Sequence, residues 1–239
     1  MSGVSAVFKA VLFDKDGTLF DFRATWDRWA ADLLVQICEG DDVLLRNMAQ
    51  ALAFDLEKQA FLPSSFVIAG TSREVAQVIA RVLGRSDLAS VEQEIVASTK
   101  NAPLQPVVEL APFLQNLRDA GFKLGVMTND AEAVADAHLG KAGVRDHFDF
   151  VCGSDSGFGA KPDPEPLLAF CKHVHVDPFH TVMLGDSTHD LQAARAAGMA
   201  AVGVLTGVAK AAELAPLSDA VLSDIGQLPA WLNEMSERK

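Results

Sequence analysis

Residues Thr181 to Leu205 read Thr-Val-Met-Leu-Gly-Asp-Ser-Thr-His-Asp-Leu-Gln-Ala-Ala-Arg-Ala-Ala-Gly-Met-Ala-Ala-Val-Gly-Val-Leu. The apolar run 181–184 predicts a strand, 189–197 a helix that Gly198 stops, and 200–205 a second strand. Strand, helix and strand joined by short connections make a unit whose two strands lie parallel. The same rhythm extends outward. Helix 107–120 ends at Gly121, followed by strand 122–127, helix 130–141, strand 148–152 and helix 164–174. Strand 219–222 and helix 226–235 come last, and an apolar strand over 7–13 comes first. The alternation predicts an α/β fold, a Rossmann-like three-layer core whose mainly parallel sheet is covered on both faces.

Residues 23–100 break this rhythm and read as helical throughout. Thr25 to Cys38 carries apolar positions at helical spacing, and 42–60 repeats the pattern until Pro63. Ser72 reads as the N-cap of a helix reaching Leu83, with Gly84 as its stop. A further helix fits 87–99, before Pro103 and Pro106. The expected organisation is a catalytic core from 1–21 and 104–239, with an all-α cap domain, 22–103, inserted in it.

The 20 basic and 32 acidic residues give a net charge of −12. That argues against nucleic acid or an anionic membrane as partner. A phosphate-bearing ligand would need local positive charge from a metal, a lysine or helix N-termini. No stretch is long and apolar enough to span a bilayer, and the first residues lack the pattern of a secretory signal. Cys38, Cys152 and Cys171 fit reduced thiols, so a cytoplasmic location is expected. The composition leaves monomer and homodimer undecided.

In open parallel sheets, ligands bind beyond the carboxyl ends of the strands. Four segments sit there. Asp14-Lys-Asp-Gly-Thr18 follows the first strand. Strand alternation starts Asp14 and Asp16 on one side, where like charges call for a divalent metal, a shared proton, or both. Thr128-Asn-Asp130 follows the second core strand, and its hydroxyl and helix-opening amides suit an anion. Lys161 stands in the loop Gly159-Ala-Lys-Pro-Asp-Pro164. Asp186 and Asp190 follow the strand quoted above. Taken singly, each has an ordinary reading: a solvated turn, a helix cap, an exposed lysine, an acidic first turn.

Together, in this order and each at a strand end, the four segments resemble the signature motifs of the haloacid dehalogenase-like hydrolase superfamily, in its phosphoglycolate phosphatase-like branch. The resemblance implies a phosphatase acting through an aspartyl-phosphate on a small phosphorylated metabolite. Asp14 would be the nucleophile. Asp16 would protonate the leaving alcohol, with a pKa above that of an isolated Asp, and offer its backbone carbonyl to the metal. Asp14 and Asp186 would ligate Mg²⁺, supported by Asp190. Thr128, Asn129 and Lys161 would hold the transferring phosphoryl oxygens. Asp16 favours phosphomonoester chemistry, since dehalogenases of the superfamily lack an acid there.

The chain departs from the pattern at Lys15, where an apolar residue is more usual. Alternation turns Lys15 away from the two carboxylates, implying a structural or charge-modifying role. Trp26 is expected to shape the substrate pocket, and Arg73, in a segment resembling a specificity loop, to grip a distal anion. The rival reading is a β-phosphoglucomutase-like mutase or sugar phosphatase. Ala69 stands where the mutase pattern has Lys, and Trp26 where it has His, which weakens that rival. A non-catalytic phospho-ligand sensor is the alternative from another class. Cys171, His173 and His175 match no strong zinc spacing, and His189 is expected beside the site.

Overall fold

Every residue of strand β1 (Ala10–Phe13) is buried. A continuous apolar strand of this kind belongs at the centre of a parallel sheet covered on both faces. In the computed structural model, which describes residues 8–237, that is its position. The small two-stranded pair β2 (Phe54–Asp55) and β3 (Ala60–Phe61) lies apart from the main sheet. The main sheet adds β4 (Lys123–Met127), β5 (Phe150–Cys152), β6 (Thr181–Gly185), β7 (Ala200–Val204) and β8 (Ala220–Leu222). Its order is β5-β4-β1-β6-β7-β8, and every adjacent pair is parallel.

The chain builds outward from β1 through β4 and β5, then returns to the other side for β6, β7 and β8. The winding therefore reverses at β1, where open sheets leave a crevice. Phe13 pairs in register with Val126 on one side and Leu184 on the other. This levels the ends of three strands, so the motifs that follow them emerge at one rim.

Two helical layers cover the sheet. Leu114 of α5 (Leu110–Asp119), Leu139 of α6 (Glu132–Lys141) and Trp231 of α10 (Leu228–Glu237) pack with Val11 and Phe13. On the other face, Phe170 of α7 (Glu165–Val174) and Leu191 of α8 (Thr188–Ala197) pack with Ala10 and Leu12. A one-turn helix, α9 (Ala211–Leu214), had no periodicity to announce it. Gly198 ends α8 in the left-handed conformation, as its place in the sequence predicts.

The inserted segment has its own apolar cluster, built from α1 (Phe22–Cys38), α2 (Asp42–Ala51), α3 (Ser72–Leu83) and α4 (Leu88–Thr99). Two local expectations need correction. The N-cap of α3 is Thr71, which forms a reciprocal capping box with Glu74, so Ser72 is the first helical residue. The segment is also not purely helical, because α2 ends at Ala51 and the β2–β3 hairpin follows. Asp55 Oδ1 accepts from the amides of Glu57 and Lys58, closing the turn, and Asp27 Oδ1 accepts from Phe61 N. Two-residue strands are too short to show a period, so side-chain to backbone bonds decide this piece. The sequence readings on residues 1–7, including the start of the first strand, lie outside the described residues. Among those described, no helix is long and apolar enough to cross a membrane.

Phe170 is fully buried against the side-chain-free face of Gly125, where a Cβ would overlap its ring. Phe170→Ala is expected to lower unfolding free energy by about 3–5 kcal/mol. The shift in denaturant midpoint at unchanged m-value checks it.

Candidate active site

Asp14 leaves β1 directly into the crevice, with its amide bonded to Leu184 O at 2.8 Å. Asp186 follows β6, and Asp190 stands on the first turn of α8 in a capping box with Ser187. The three carboxylates are buried and offer oxygens within 4.8 Å of one another. Lys161 Nζ donates to Asp14 Oδ1 at 2.5 Å and pairs with Asp190 Oδ1 at 2.6 Å, and it also donates to Met127 O at 3.0 Å.

Three carboxylates facing one ammonium leave an excess of two negative charges in a space shielded from water. Burial and the neighbouring Asp190 and Asp16 outweigh Lys161 and push Asp14 up to about 7. Burial, with Asp14 and Asp190, pushes Asp186 well above the carboxylate range. Lys161 goes up despite burial, because Asp14 and Asp190 hold its proton. A hard divalent cation among these oxygens matches both the donor set and the charge excess. Glycines make the close approach possible. A Cβ on Gly17, whose φ is +78°, or on Gly207 would overlap the Asp186 carboxylate.

Asp16 lies outside this carboxylate cluster. Its carboxylate pairs with Lys15 Nζ at 2.5 Å, and Lys15 also pairs with Asp130 at 2.9 Å. The expectation that Lys15 turns away from the acid pair is therefore wrong. β1 ends at Phe13, and beyond it the backbone turns, so strand alternation does not govern residues 14–16. The expected high pKa of Asp16 is corrected for the same reason. Burial raises it, but Lys15 and then His138 outweigh burial and hold it below the ordinary value. Asp130 goes the other way, to about 6, through burial and the repulsion of Asp16, with Lys15 opposing.

Lys15 is fully buried, sits 5.4 Å from the Trp26 ring centroid, and lies 3.2 Å from His138 Nδ1. Burial and the Lys15 charge push His138 down to about 4, so its ring is neutral at pH 7. An ammonium can only donate and a carbonyl can only accept. Nδ1 therefore accepts from Lys15, and Nε2–H donates to Thr99 O at 2.8 Å. A chain of contacts thus runs from Asp16 through Lys15 and His138 to the end of α4.

Thr128 is buried on the cavity wall, and its Oγ1 accepts from Asp130 N at 3.2 Å. Asn129 reaches the site, but its amide is turned to the backbone. Oδ1 accepts from Lys161 N at 2.9 Å, while Nδ2 donates to Lys161 O at 3.0 Å and Ala69 O at 2.8 Å. A carboxamide matches a loop that presents both an N–H and a C=O, so Asn129 ties the Lys161 loop to Ala69. Trp26 lines the cavity with Trp29 edge-on at 5.2 Å. Arg73 does not line it, and instead bonds Glu92 at 3.0 Å on the exterior. His189 lines the cavity. Cys171, His173 and His175 lie at the far end of α7. Cys171 Sγ contacts Thr181 Oγ1, and the His173 ring packs on Phe150.

The cavity itself measures about 60 Å³ and lies between the sheet rim and the inserted helices. Sequence reading missed Asp130 and His138 as members of the site. Asp130 was visible only as a helix-opening residue, and His138 lies 123 positions from its partner Lys15.

A model of the haloacid dehalogenase-like hydrolase family matches residues 8–198. The chain belongs to this family. Among similar proteins, the plasmid phosphoglycolate phosphatase of Cupriavidus necator is 33% identical over 244 residues, 97% of this chain and 96% of that one. The phosphoglycolate phosphatase of Nitrosospira multiformis is 32% identical over 190 residues, 80% of each chain. The solved β-phosphoglucomutase of Clostridium difficile superposes with a TM-score of 0.68 at 18% identity, covering 97% of this chain and 98% of that one. At that identity the likeness shows the fold alone. The resemblance read from the four motifs is borne out, as is the Rossmann-like α/β core.

Lys15 is the fully buried cation shared by Asp16 and Asp130, so removing it strands two partly buried carboxylates. Lys15→Met is expected to cost about 3–5 kcal/mol of stability. Adding Asp130→Asn should recover part of that loss, and a double-mutant cycle in denaturant measures the coupling.

Proposed function

We propose that this hydrolase is a Mg²⁺-dependent phosphatase that cleaves a small phosphomonoester through an aspartyl-phosphate at Asp14. The observation that carries the reading is the pairing of Asp14 with Lys161 at 2.5 Å beside Asp186 and Asp190. A nucleophilic carboxylate, a cation for phosphoryl oxygens and a divalent-metal donor set meet at one rim. The relatives' names point the same way, toward release of phosphate from a small metabolite. We further propose that 1–21 and 104–239 act as the core and 22–103 as a cap that excludes bulk water.

In this reading Asp14 attacks phosphorus, the ester P–O bond breaks, and the phosphoryl group passes to the Asp14 carboxylate. Mg²⁺ held by Asp14 and Asp186, with Asp190 beside them, would screen the charge between nucleophile and phosphate. Lys161 neutralises the equatorial oxygens, and Thr128 donates its hydroxyl to one of them. Asp16 delivers a proton to the departing alkoxide. Lys15 holds it ionised in the free protein, but an arriving phosphate dianion is a like charge and raises its pKa. Once the alcohol has gone, Asp16 is a carboxylate again and takes a proton from the water that attacks phosphorus. That second displacement frees inorganic phosphate and restores Asp14. The splitting of one displacement into two is what a carboxylate nucleophile contributes.

Phosphate release from phenyl phosphate should require Mg²⁺, and Asp14→Asn should lower the rate about a thousandfold or more. An unchanged rate in that variant contradicts the mechanism. A second prediction follows from the raised carboxylates. The folded state binds protons at Asp14 and Asp186 that the unfolded chain has already released. Asp14's contribution to stability is therefore full at low pH and lost as pH rises through about 7, and Asp186, also raised, contributes in the same direction. Without metal, thermal stability should fall across that range, and Mg²⁺ should raise the melting temperature more at about pH 8 than at about pH 5.5. Differential scanning fluorimetry with and without Mg²⁺ reads both.

A further inference from the structure

The cap side of the cavity carries chemistry of its own. Phe22, Trp26, Trp29, Val67, Val75 and Ile95 form the wall opposite Asp14 and Lys161. The polar side-chain groups contributed by the inserted helices are the hydroxyls of Ser72 and Thr99 and the indole N–H groups of Trp26 and Trp29. The Thr99 hydroxyl already donates to Val96 O, the Trp29 N–H to Ser98 Oγ and the Trp26 N–H to Asp16. Among the described residues that line the cavity, the one lysine or arginine is Lys161, which Asp14 and Asp190 hold at the phosphoryl end. Lys15 lies behind Trp26, paired to Asp16 and Asp130. Arg73 faces outward on Glu92.

The N-terminus of α3 also borders the cavity through Gly70 and Ser72, and amides there could in general receive an anion. Here that end already carries a carboxylate. Glu74 Oε2 accepts from Thr71 N at 2.7 Å and from Thr71 Oγ1 at 3.0 Å. A second carboxylate beside Glu74 would meet repulsion with no cation to offset it.

Resting on the phosphatase reading, we infer that the substrate is the phosphomonoester of a small uncharged, apolar alcohol, aromatic or branched aliphatic. An acid such as phosphoglycolate would bury its carboxylate against this wall with no lysine or arginine there to pair it. A sugar phosphate would bury several hydroxyls there for want of donors and acceptors. Both losses fall on the leaving group, where an unpaired buried polar group is rejected strongly. Apolar surface, by contrast, gains from contact with the two indoles and the branched side chains.

The full-length enzyme with Mg²⁺ should be assayed for phosphate release from isobutyl, propyl and benzyl phosphate, phosphoglycolate and a hexose phosphate. The alkyl esters and phosphoglycolate share a primary alkoxide leaving group, so the comparison reads mainly binding of the remainder. The expected result is a kcat/KM for isobutyl or benzyl phosphate about a hundredfold above that for phosphoglycolate or the hexose phosphate. KM should fall from propyl to isobutyl phosphate. Phosphoglycolate or hexose phosphate turned over as efficiently as the apolar esters overturns this inference and leaves the phosphatase reading standing. No phosphate from any ester, phenyl phosphate included, overturns both.

Discussion

Repulsion among buried carboxylates is the constraint on which the rest of the site depends. Asp14, Asp186 and Asp190 are buried and Asp16 and Asp130 partly so; all five stand at one rim of the sheet and line the same cavity. Two lysines divide this charge. Lys161 straddles Asp14 and Asp190, and Lys15 straddles Asp16 and Asp130. The division separates two duties. Around Lys161 the charge excess and hard oxygens suit a divalent cation. Around Lys15 the balance keeps Asp16 ionised and places a proton on Asp130 in the free protein at moderately acid pH.

The sheet holds these charges in place. Paired register levels the ends of β4, β1 and β6, so three separate segments reach the rim together. The apolar strands behind them are buried on both faces, which denies the rim any water from below. Gly17 and Gly207 then let the backbone close on Asp186. The inserted helices complete the enclosure from above. Their ties to the core are specific bonds: Asn129 to Ala69 O, His138 to Thr99 O and Lys141 to Ala102 O.

Most of the core was legible because short apolar runs alternate with longer segments, several of which keep a 3.6-residue period. Asp14, Asp186 and Lys161 were legible because strand ends carry ligands in such sheets. Other features were not. The β2–β3 hairpin rests on Asp55 and Asp27 bonding to backbone, and two-residue strands carry no pattern. Lys15 stood out as a departure, yet its direction depended on how the chain turns after Phe13. Its partner His138 is brought in by α6 packing across the sheet, which no local pattern records. Arg73 lies away from the cavity, and the Asn129 carboxamide, although on the cavity wall, bonds to backbone, because a side chain's type shows what it can bond and not which neighbour will be nearest. Arg73 found Glu92 on the adjoining helix, and Asn129 found the Lys161 loop.

The central claim is that Asp14 becomes covalently phosphorylated. The most direct test is to quench the enzyme in acid during turnover of a phosphomonoester and reduce it with borohydride, which converts an acyl phosphate to homoserine. Peptide sequencing by mass spectrometry should find homoserine at position 14 and Asp unchanged at positions 16, 186 and 190. Reduction at another carboxylate, or none while phosphate is being released, would contradict the account.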